Sequence, residues 1–354
     1  MQALDRSKNP ASHPRIAITM GDPAGIGPEV IVKAWLRGHL HAVSCPVVVG
    51  SLGLIQRAIA DAVAPLEAVP LSSLKDLPLF DPHQIGVIEP EHAPDVARVQ
   101  PGLIDARCGR AAFDYLNQAI DAALTGQVDA IVTLGLHKES LNRAGICEPG
   151  HTEILGRRCG VSDVAMMLYL PPEPGRHLGL GVVHATLHHA LRQVFELLTP
   201  ERIDASILLA HEAMKPLIDP GQERPRVALA ALNPHAGEGG LFGDEEIRLL
   251  KPAVDRARSA GMDAFGPFSA DTLFGQALAG HYDAVVAMYH DQGHVALKTI
   301  GFDRAVNITC GLPIVRTSVA HGTAFDIVGK GLARSDSLES ATLAAAKIAL
   351  WRCR

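Results

Sequence analysis

The strongest constraint on the fold is a repeated alternation between short apolar segments of β type and segments whose apolar residues have helical spacing. The β-type runs, rich in Val, Ile and Ala, cover residues 15–20, 46–50, 128–134, 226–232 and 282–289. Strands that alternate with helices form right-handed βαβ units, which build a mostly parallel sheet covered on both faces. The sequence therefore predicts an α/β fold with ligands at the carboxyl edge of the sheet.

The chain length predicts two domains, because 354 residues exceed the usual size of one. We predict a flexible tail at residues 1–14 and a first α/β domain at residues 15–133 plus about 318–354. A second α/β domain of about 134–317 is expected to carry most of the metal and substrate residues. The proline-rich stretch at residues 169–179 is predicted to be a surface loop or a hairpin rather than a linker.

Charge and composition exclude several classes of function. A formal net charge of −6 argues against binding to nucleic acid or to an anionic membrane, since both require a positive surface. The first residues lack the apolar core of a signal peptide, and no apolar run approaches the roughly 18–20 residues of a membrane span. The 6 cysteines contain no Cys-x-x-Cys pair, which favours buried free thiols over disulfides or cysteine-ligated zinc. We expect a cytoplasmic protein.

Two glycine-rich segments are candidates for ligand binding. In GDPAGIGPE, residues 21–29, a loop between a strand and a helix either presents backbone amides to an anion or is a tightly packed turn. A second segment, with Gly237, Gly239, Gly240 and Gly243, approaches the dinucleotide motif G-x-G-x-x-G, but its final glycine comes one position late. The sequence therefore predicts no conventional dinucleotide fold and identifies no cofactor-binding residue.

Histidines stand beside several predicted strand ends. The chain has 17, and those of interest are the group His184, His188 and His189, His235 in NPHAGEGG, and His290 in MYHDQGH. Neutral imidazoles from separate strand ends can ligate one divalent metal ion and leave a position for substrate. Taken singly, each is better explained as a hydrogen-bonded structural histidine. Asp291 either orients His290 or caps the next turn.

Candidate anion-binding groups follow the histidines along the chain. They are Lys298, Arg304, Asn307 and Arg316, the last two flanking the apolar segment ITCGLPIV. Guanidinium, ammonium and amide groups bind phosphate or carboxylate when they converge, although Lys298 and Arg304 also suit ordinary surface positions. His151 and Thr152, after Pro149 and Gly150, either donate to the same anion or begin a helix with a capping box.

Five long motifs together resemble the 4-hydroxythreonine-4-phosphate dehydrogenase family, including its sugar-acid-phosphate and dihydrodiol paralogues. The motifs are ITMGDPAGIGPE, AGICEPGHTE, LNPHAGEGG, AMYHDQGH and VNITCGLPIVRTSVAHGTAFDI. The resemblance implies two α/β/α domains with a cleft, like isocitrate and isopropylmalate dehydrogenases. It also implies NAD or NADP, one divalent metal ion (zinc, cobalt, nickel, manganese or magnesium), and a homodimer with active sites at its interface.

The resemblance also implies roles for individual residues. The metal ligands would be His188, His235 and His290, with His184 as the competing choice for the first. Substrate contacts would be His151, Thr152, Lys298, Asn307 and Arg316. Lys298 and Asp291 are the candidates for catalytic roles. The chain departs from the family in TLGLHKES, where Thr-x-Pro is common, and in LHHALR, where Pro or Ser is usual. The second departure is closer to the sugar-acid-phosphate and terephthalate-dihydrodiol paralogues.

The function implied is oxidation, with decarboxylation, of 4-phosphohydroxy-L-threonine or a close phosphorylated four-carbon hydroxy acid. One alternative is a terephthalate-type cis-dihydrodiol carboxylate dehydrogenase, but that branch lacks the His-Thr pair, the Asn and the Arg that suit a phosphate. Another is a non-catalytic anion-binding protein, which would be expected to have lost metal ligands. The sequence does not distinguish NAD from NADP, name the metal or fix the substrate.

Overall fold

A computed structural model of the chain describes residues 13–74, 81–148, 150–161, 164–173, 175 and 178–353. The predicted tail at residues 1–14 therefore lies almost wholly outside the described residues. The chain divides into two compact units. The first comprises the described residues up to Val164 together with those from Gly311 onward, and the second is Ala165–Cys310.

Strands and helices alternate along most of the described chain. The strands are β1 (Arg15–Thr19), β2 (Cys45–Val49), β3 (Glu67–Leu71), β4 (Gln84–Ile88), β5 (Ala130–Thr133), β6 (Ala165–Leu170), β7 (Leu180–His184), β8 (Arg226–Ala230), β9 (Asp263–Phe268), β10 (Ala284–Ala287), β11 (Val306–Cys310) and β12 (Arg316–Val319). The α-helices are α1 (Gly27–Arg37), α2 (Leu52–Asp61), α3 (Ala106–Leu124), α4 (Lys138–Arg143), α5 (His151–Cys159), α6 (Val194–Leu197), α7 (Pro200–Met214), α8 (Lys251–Ser259), α9 (Ala270–Leu278), α10 (His290–Gly301) and α11 (Asp336–Arg352). The α/β prediction is confirmed.

The first unit is built on a parallel sheet with the strand order β3-β4-β2-β1-β5-β12. Ile16, Ala17 and Ile18 of the inner strand β1 are fully buried, as are Ala130 and Ile131 of β5. Buried apolar side chains on both faces of a strand are expected where helices cover both sides of the sheet. Helices α3 and α11 both contact β1 and β5. The predicted βαβ organisation therefore holds for this unit.

The second unit combines parallel and antiparallel pairing, in the strand order β11-β6-β7-β10-β8-β9. Strands β7, β10, β8 and β9 are parallel neighbours, whereas β6 is antiparallel to both β7 and β11. The proline-rich stretch joins β6 to β7, with residues 174, 176 and 177 outside the described part. Because this connection is too short for a crossover helix, it produces a hairpin, one of its two predicted forms.

The unit boundaries differ from those expected at about residues 133 and 318. Residues up to Val164 remain with the first unit because helix α4 packs directly on α3. The two helices approach so closely at Gly109 that a Cβ atom there would lie 2.1 Å from the Ser140 carbonyl oxygen. The chain returns to this unit at Gly311, ahead of β12, since β12 pairs with β5.

The cysteines and the helices bear on two further predictions. All 6 cysteines are free, as predicted, but Cys147 and Cys353 are exposed and only Cys108 is buried. Burial raises the pKa of the Cys108 thiol to about 12, so it stays protonated at neutral pH.

None of the helices in the described part of the chain is both long and apolar enough to cross a membrane.

Candidate active site

Four histidines gather where β7 ends and α10 begins, and we call them the histidine cluster. They are His184, the last residue of β7, His188 in the following loop, and His290 and His294, one turn apart on α10. The rings of His290 and His294 stack, with centroids 3.9 Å apart. The centroids are 4.6 Å apart for His184 and His294 and 5.6 Å apart for His188 and His290. Adjacent parallel strands β7 and β10 therefore bring these side chains to one edge of the sheet.

Hydrogen bonds fix the orientation of three rings in the cluster. His294 Nδ1 and His184 Nε2 are 3.1 Å apart, so one ring donates and the other accepts. His290 Nδ1 donates to the Asp291 carboxylate across 2.7 Å. With Nδ1 protonated, Nε2 of His290 keeps its lone pair for a metal ion or a proton. If Asp291 orients His290, as one of its two predicted roles states, this hydrogen bond is the contact that does so.

The buried members of the histidine cluster are held in the neutral state. Burial lowers the pKa of His184 to about 3, with further contributions from His294, His290 and His188. Burial likewise lowers the pKa of His294 to about 4, followed by the influence of His290 and Lys298. Neutral imidazole is the form that ligates a divalent metal ion, but neither His184 nor His294 belongs to the predicted triad.

His235 lies in a left-handed loop after β8. It has φ 51° and ψ 33°, and the next four residues, through Gly239, also have positive φ. Three of these five residues are not glycine, and such residues cost about 1–3 kcal/mol each in this region. Strained backbone of this kind is concentrated at functional sites. The His235 side chain is 66% exposed, and its Nδ1 lies 3.5 Å from the Glu238 carboxylate.

The three predicted metal ligands all belong to the second unit, in segments that follow β7, β8 and β10. Within the described ranges, no three His, Cys, Asp or Glu side chains are arranged to hold one ion. The triad of His188, His235 and His290 therefore stays a prediction. Between the two choices for the first ligand, exposure favours His188, because His184 is only 7% exposed and its Nε2 is bonded to His294.

A buried guanidinium marks the first unit. Arg316 begins β12, is 5% exposed, and donates from Nε and Nη2 to the Thr133 hydroxyl at 3.2 and 2.6 Å. Burial lowers its pKa to about 9, which still leaves it charged at neutral pH. Thr133 is the last residue of β5, so this cation lies at the carboxyl end of a central strand.

His151 lies close to this cation and begins helix α5. Its Nε2 atom is buried and makes no hydrogen bond with any residue that the structure describes. Burial, and then the charge of Arg316, hold the pKa of His151 well below its usual value. Gly150 is the N-cap and no side chain caps the helix, so the expected alternative of a capping box is not formed. A helix N-terminus beside a buried cation suits an anion. Thr152 follows and is exposed.

The remaining anion candidates lie in the second unit. Lys298 is on α10, with Nζ 5.9 Å from the centroid of the Phe302 ring. Asn307 lies on β11 opposite Leu168 of β6. Arg304 donates to the Glu173 carboxylate at 2.6 Å, and both side chains are half-buried.

The loop GDPAGIGPE is a tightly packed turn. A Cβ atom on Gly27 would lie 2.0 Å from the Met20 carbonyl oxygen, and one on Gly21 (φ 73°) would lie 2.5 Å from that of Gly135. Asp22 is buried in this turn, and one of its oxygens accepts from the Ala24 amide at 2.9 Å. Burial raises the pKa of Asp22. These contacts favour the packing interpretation of the glycines.

Sequence reasoning missed His294, although the motif MYHDQGH was singled out. The available signal was its spacing of four residues from His290, which places both rings on one face of a helix. It also missed Glu246, a buried carboxylate beside the His235 loop. Its partners are set by tertiary structure, so no local pattern marks it.

Comparison with known proteins gives consistent matches over most of the chain. The sequence pattern of the family described as "Pyridoxal phosphate biosynthetic protein PdxA" matches residues 42–345. D-threonate 4-phosphate dehydrogenase of Salmonella typhimurium is 45% identical, covering 91% of this chain and 95% of its own length. 4-hydroxythreonine-4-phosphate dehydrogenase of Beijerinckia indica is 44% identical over 93% of each chain. A solved structure of 4-hydroxythreonine-4-phosphate dehydrogenase from Klebsiella pneumoniae is 43% identical, with a TM-score of 0.81 over 96% of this chain and 98% of that one.

Proposed function

We propose a function from one premise: this chain belongs to the family of the pyridoxal phosphate biosynthetic protein PdxA, and it is a dehydrogenase. We infer that it oxidises a secondary alcohol of a phosphorylated four-carbon hydroxy acid. The names of the relatives indicate two such acids, 4-phosphohydroxy-L-threonine and D-threonate 4-phosphate. A substrate whose carboxylate lies β to the new ketone is expected to lose carbon dioxide after oxidation.

The observation that carries this proposal is the buried guanidinium of Arg316 close to His151, whose half-buried side chain has a buried Nε2 atom. A fixed guanidinium at a buried position attracts an anion. Phosphate offers several charged acceptor oxygens, which match the planar donor array of a guanidinium. We propose that Arg316, His151 and Thr152 bind the anionic end of the substrate, with Lys298 and Asn307 as further substrate contacts.

We propose that His188, His235 and His290 hold one divalent metal ion. Imidazole ligands suit zinc, cobalt and nickel, and to a lesser degree manganese or magnesium. Bound there, the ion would supply Lewis acidity toward a substrate hydroxyl, and NAD or NADP would supply the hydride acceptor. The Asp291 carboxylate orients His290 by accepting a hydrogen bond from its Nδ1–H group. Lys298 is proposed either to move a proton or to pair with substrate charge.

The resemblance to the family also supports a cytoplasmic homodimer whose active sites lie at the subunit interface. Sedimentation of the purified protein would test the dimer. A monomeric species at concentrations where the enzyme is active would contradict it.

Reduced-nicotinamide formation tests the proposed activity. Purified protein would be assayed by absorbance with NAD or NADP and each divalent metal ion in turn. The substrates compared would be 4-phosphohydroxy-L-threonine, the 4-phosphates of threonate and erythronate, and the terephthalate dihydrodiol. We expect turnover only with a phosphorylated acid. Preference for the dihydrodiol would leave the dehydrogenase chemistry intact and overturn the anion-binding role of Arg316.

A His235→Ala variant tests the metal set. We expect bound metal and turnover to fall by more than the roughly 10–100-fold that loss of an outer-shell partner costs. His189→Ala is the matched control, because His189 is also exposed and adjoins His188 without belonging to the proposed triad. Metal content measured after dialysis, together with turnover, would decide. Survival of both in His235→Ala would show the triad to be wrong.

A further inference from the structure

Glu246 is a buried carboxylate that belongs to no predicted site. It is 2% exposed and follows the loop that carries His235. Oε1 accepts the backbone N–H groups of Leu232 and Asn233, each at 2.8 Å. Oε2 accepts the side-chain amide of Asn233 at 3.0 Å. All three donors therefore belong to the two residues that precede Pro234 and His235.

These hydrogen bonds are what allows the carboxylate to be buried. An ionised carboxylate inside a protein is strongly destabilising unless charged or hydrogen-bonding partners compensate for it. No described Lys, Arg or His side chain forms an ion pair with Glu246, so the three donors carry the compensation. The hydrogen bonds consequently hold both the Glu246 carboxylate and the backbone at the start of the loop in place.

The loop also closes over the same carboxylate. At Gly237, in the middle of the left-handed run, a Cβ atom would lie 2.8 Å from Glu246 Oε2 and 3.0 Å from the Gly243 carbonyl oxygen. The His235 ring itself is 66% exposed, with its centroid 6.3 Å from that of Phe242. Since few side-chain contacts restrain this ring, its direction depends on the loop backbone.

We propose that Glu246 is a positioning residue that holds the left-handed loop so that His235 presents its imidazole to a divalent metal ion. The inference rests on the proposed function in one respect, the assignment of His235 as a metal ligand. Glu246 acts through the loop and is not itself a ligand. Loss of a hydrogen-bond partner of a metal ligand lowers metal affinity about 10–100-fold, and we expect the same range for loss of a residue that holds the ligand's loop.

Glu245, the residue before Glu246, provides a matched control for the Glu246 variants. It has the same charge and length and accepts from the Asn233 side chain at 2.7 Å, but it receives no backbone N–H group of the loop. It is also only half-buried. Glu245→Gln therefore changes charge and one side-chain contact while leaving the loop backbone supported.

The test compares Glu246→Gln, Glu245→Gln and His235→Ala in the full chain. An amide at position 246 can keep an oxygen for the two backbone N–H groups, but those hydrogen bonds lose their charge assistance, and its NH2 group faces the Asn233 amide where an acceptor is needed. Equilibrium dialysis against Co²⁺ would give the dissociation constant, and the visible spectrum of the bound cobalt would report its ligand set. We expect the dissociation constant to rise about 10–100-fold in Glu246→Gln. We expect less than about a fivefold change in Glu245→Gln.

The outcomes separate this inference from the proposed function. Normal Co²⁺ binding by Glu246→Gln, together with loss in His235→Ala, would overturn the role of Glu246 and leave the metal set intact. Retention of Co²⁺ by His235→Ala would overturn the metal set and the inference with it. A lower unfolding temperature of metal-free Glu246→Gln with unchanged Co²⁺ affinity would assign Glu246 a structural role only.

Glu246→Asp keeps the test decisive if Glu246→Gln does not fold. This variant retains the charge and withdraws the carboxylate by one methylene, which lengthens all three hydrogen bonds. An intermediate loss of Co²⁺ affinity, with an altered cobalt spectrum, is expected. Affinity and spectrum identical to those of the original protein would overturn the proposal.

Discussion

The Arg316 region of the first unit and the histidine cluster of the second differ in charge: the first holds a charged side chain, and the second holds uncharged rings. Arg316 is one permanent cation, held between β5 and β12 by two hydrogen bonds to Thr133. The histidine cluster consists of several rings whose inner members, His184 and His294, are kept uncharged by burial and by one another. A fixed buried charge attracts an anion, whereas neutral imidazole is the form of histidine that can ligate a cation.

Removing the fixed charge should have the largest effect. Arg316→Met keeps much of the side-chain volume but deletes the guanidinium. Truncating one partner of a buried, hydrogen-bonded charge pair costs about 2–5 kcal/mol, so kcat/KM for a phosphorylated substrate should fall roughly 30- to 5,000-fold. Steady-state assays with D-threonate 4-phosphate would measure it.

The same acid without its phosphate is the control for that comparison. If Arg316 binds the phosphate, the already weak turnover of D-threonate should be nearly the same in both proteins. Arg316→Lys should recover only part of the loss, because an ammonium cannot reproduce the planar fork. An equal loss with both substrates would mean that Arg316 supports the fold rather than the phosphate.

Releasing His290 from Asp291 should have an intermediate effect. Asp291→Ala removes the acceptor that holds Nδ1, 2.7 Å away, and metal affinity should drop about 10-fold or somewhat more. Asp291→Asn retains a neutral acceptor, so its metal affinity should lie between that of the original protein and that of Asp291→Ala. Isothermal titration with Zn²⁺ would measure both variants. Unchanged affinity in Asp291→Ala would show that this exposed carboxylate only caps the turn.

The last expected effect concerns the pH dependence of stability. The folded pKa values of about 3 for His184 and about 4 for His294 lie below the unfolded value of about 6.5. The unfolded chain therefore binds more protons as the pH falls from 6.5 toward 4, and the folded state loses stability in that window. Each group contributes at most about 1.4 kcal/mol per pH unit.

Urea unfolding of the metal-free protein between pH 7 and pH 4.5 would test this contrast. His294→Leu should flatten the pH dependence, whereas His189→Ala, at an exposed position, should leave it unchanged. An equally steep decline in His294→Leu would show that carboxylates, not the histidine cluster, dominate acid sensitivity.

Most of the fold followed from local patterns, and the exceptions involve pairing between distant segments. The apolar runs near residues 15–20 and 282–289 form β1 and β10, as predicted. Such predictions succeed because the spacing of apolar residues within one segment indicates whether it is a strand or a helix. The antiparallel direction of β6 and the unit boundaries depend on which segments meet, so hydrophobic periodicity does not encode them.

The candidate site shows the same division. His235 and His290 were found from their polar surroundings near strand ends, and the structure places them five and three residues after the ends of β8 and β10. The hydrogen-bond partner of His184 is 110 positions away along the chain. Those of Glu246 are 13 and 14 positions away. Only the folded chain reveals such buried polar contacts, and the gathering of three metal ligands remains a prediction.

The discontinuous first unit has a consequence for how the chain is synthesised. Domains generally fold as units, and the N-terminal part of a chain folds first on the ribosome. Here β12 and α11 emerge last, after the whole of Ala165–Cys310. A nascent chain halted before Gly311 already contains every proposed metal ligand, yet it lacks Arg316 and the strand that flanks β5. Arg316, which we propose binds the anionic end of the substrate, is thus added only with the last segment of the chain, so a shorter chain would lack this proposed contact.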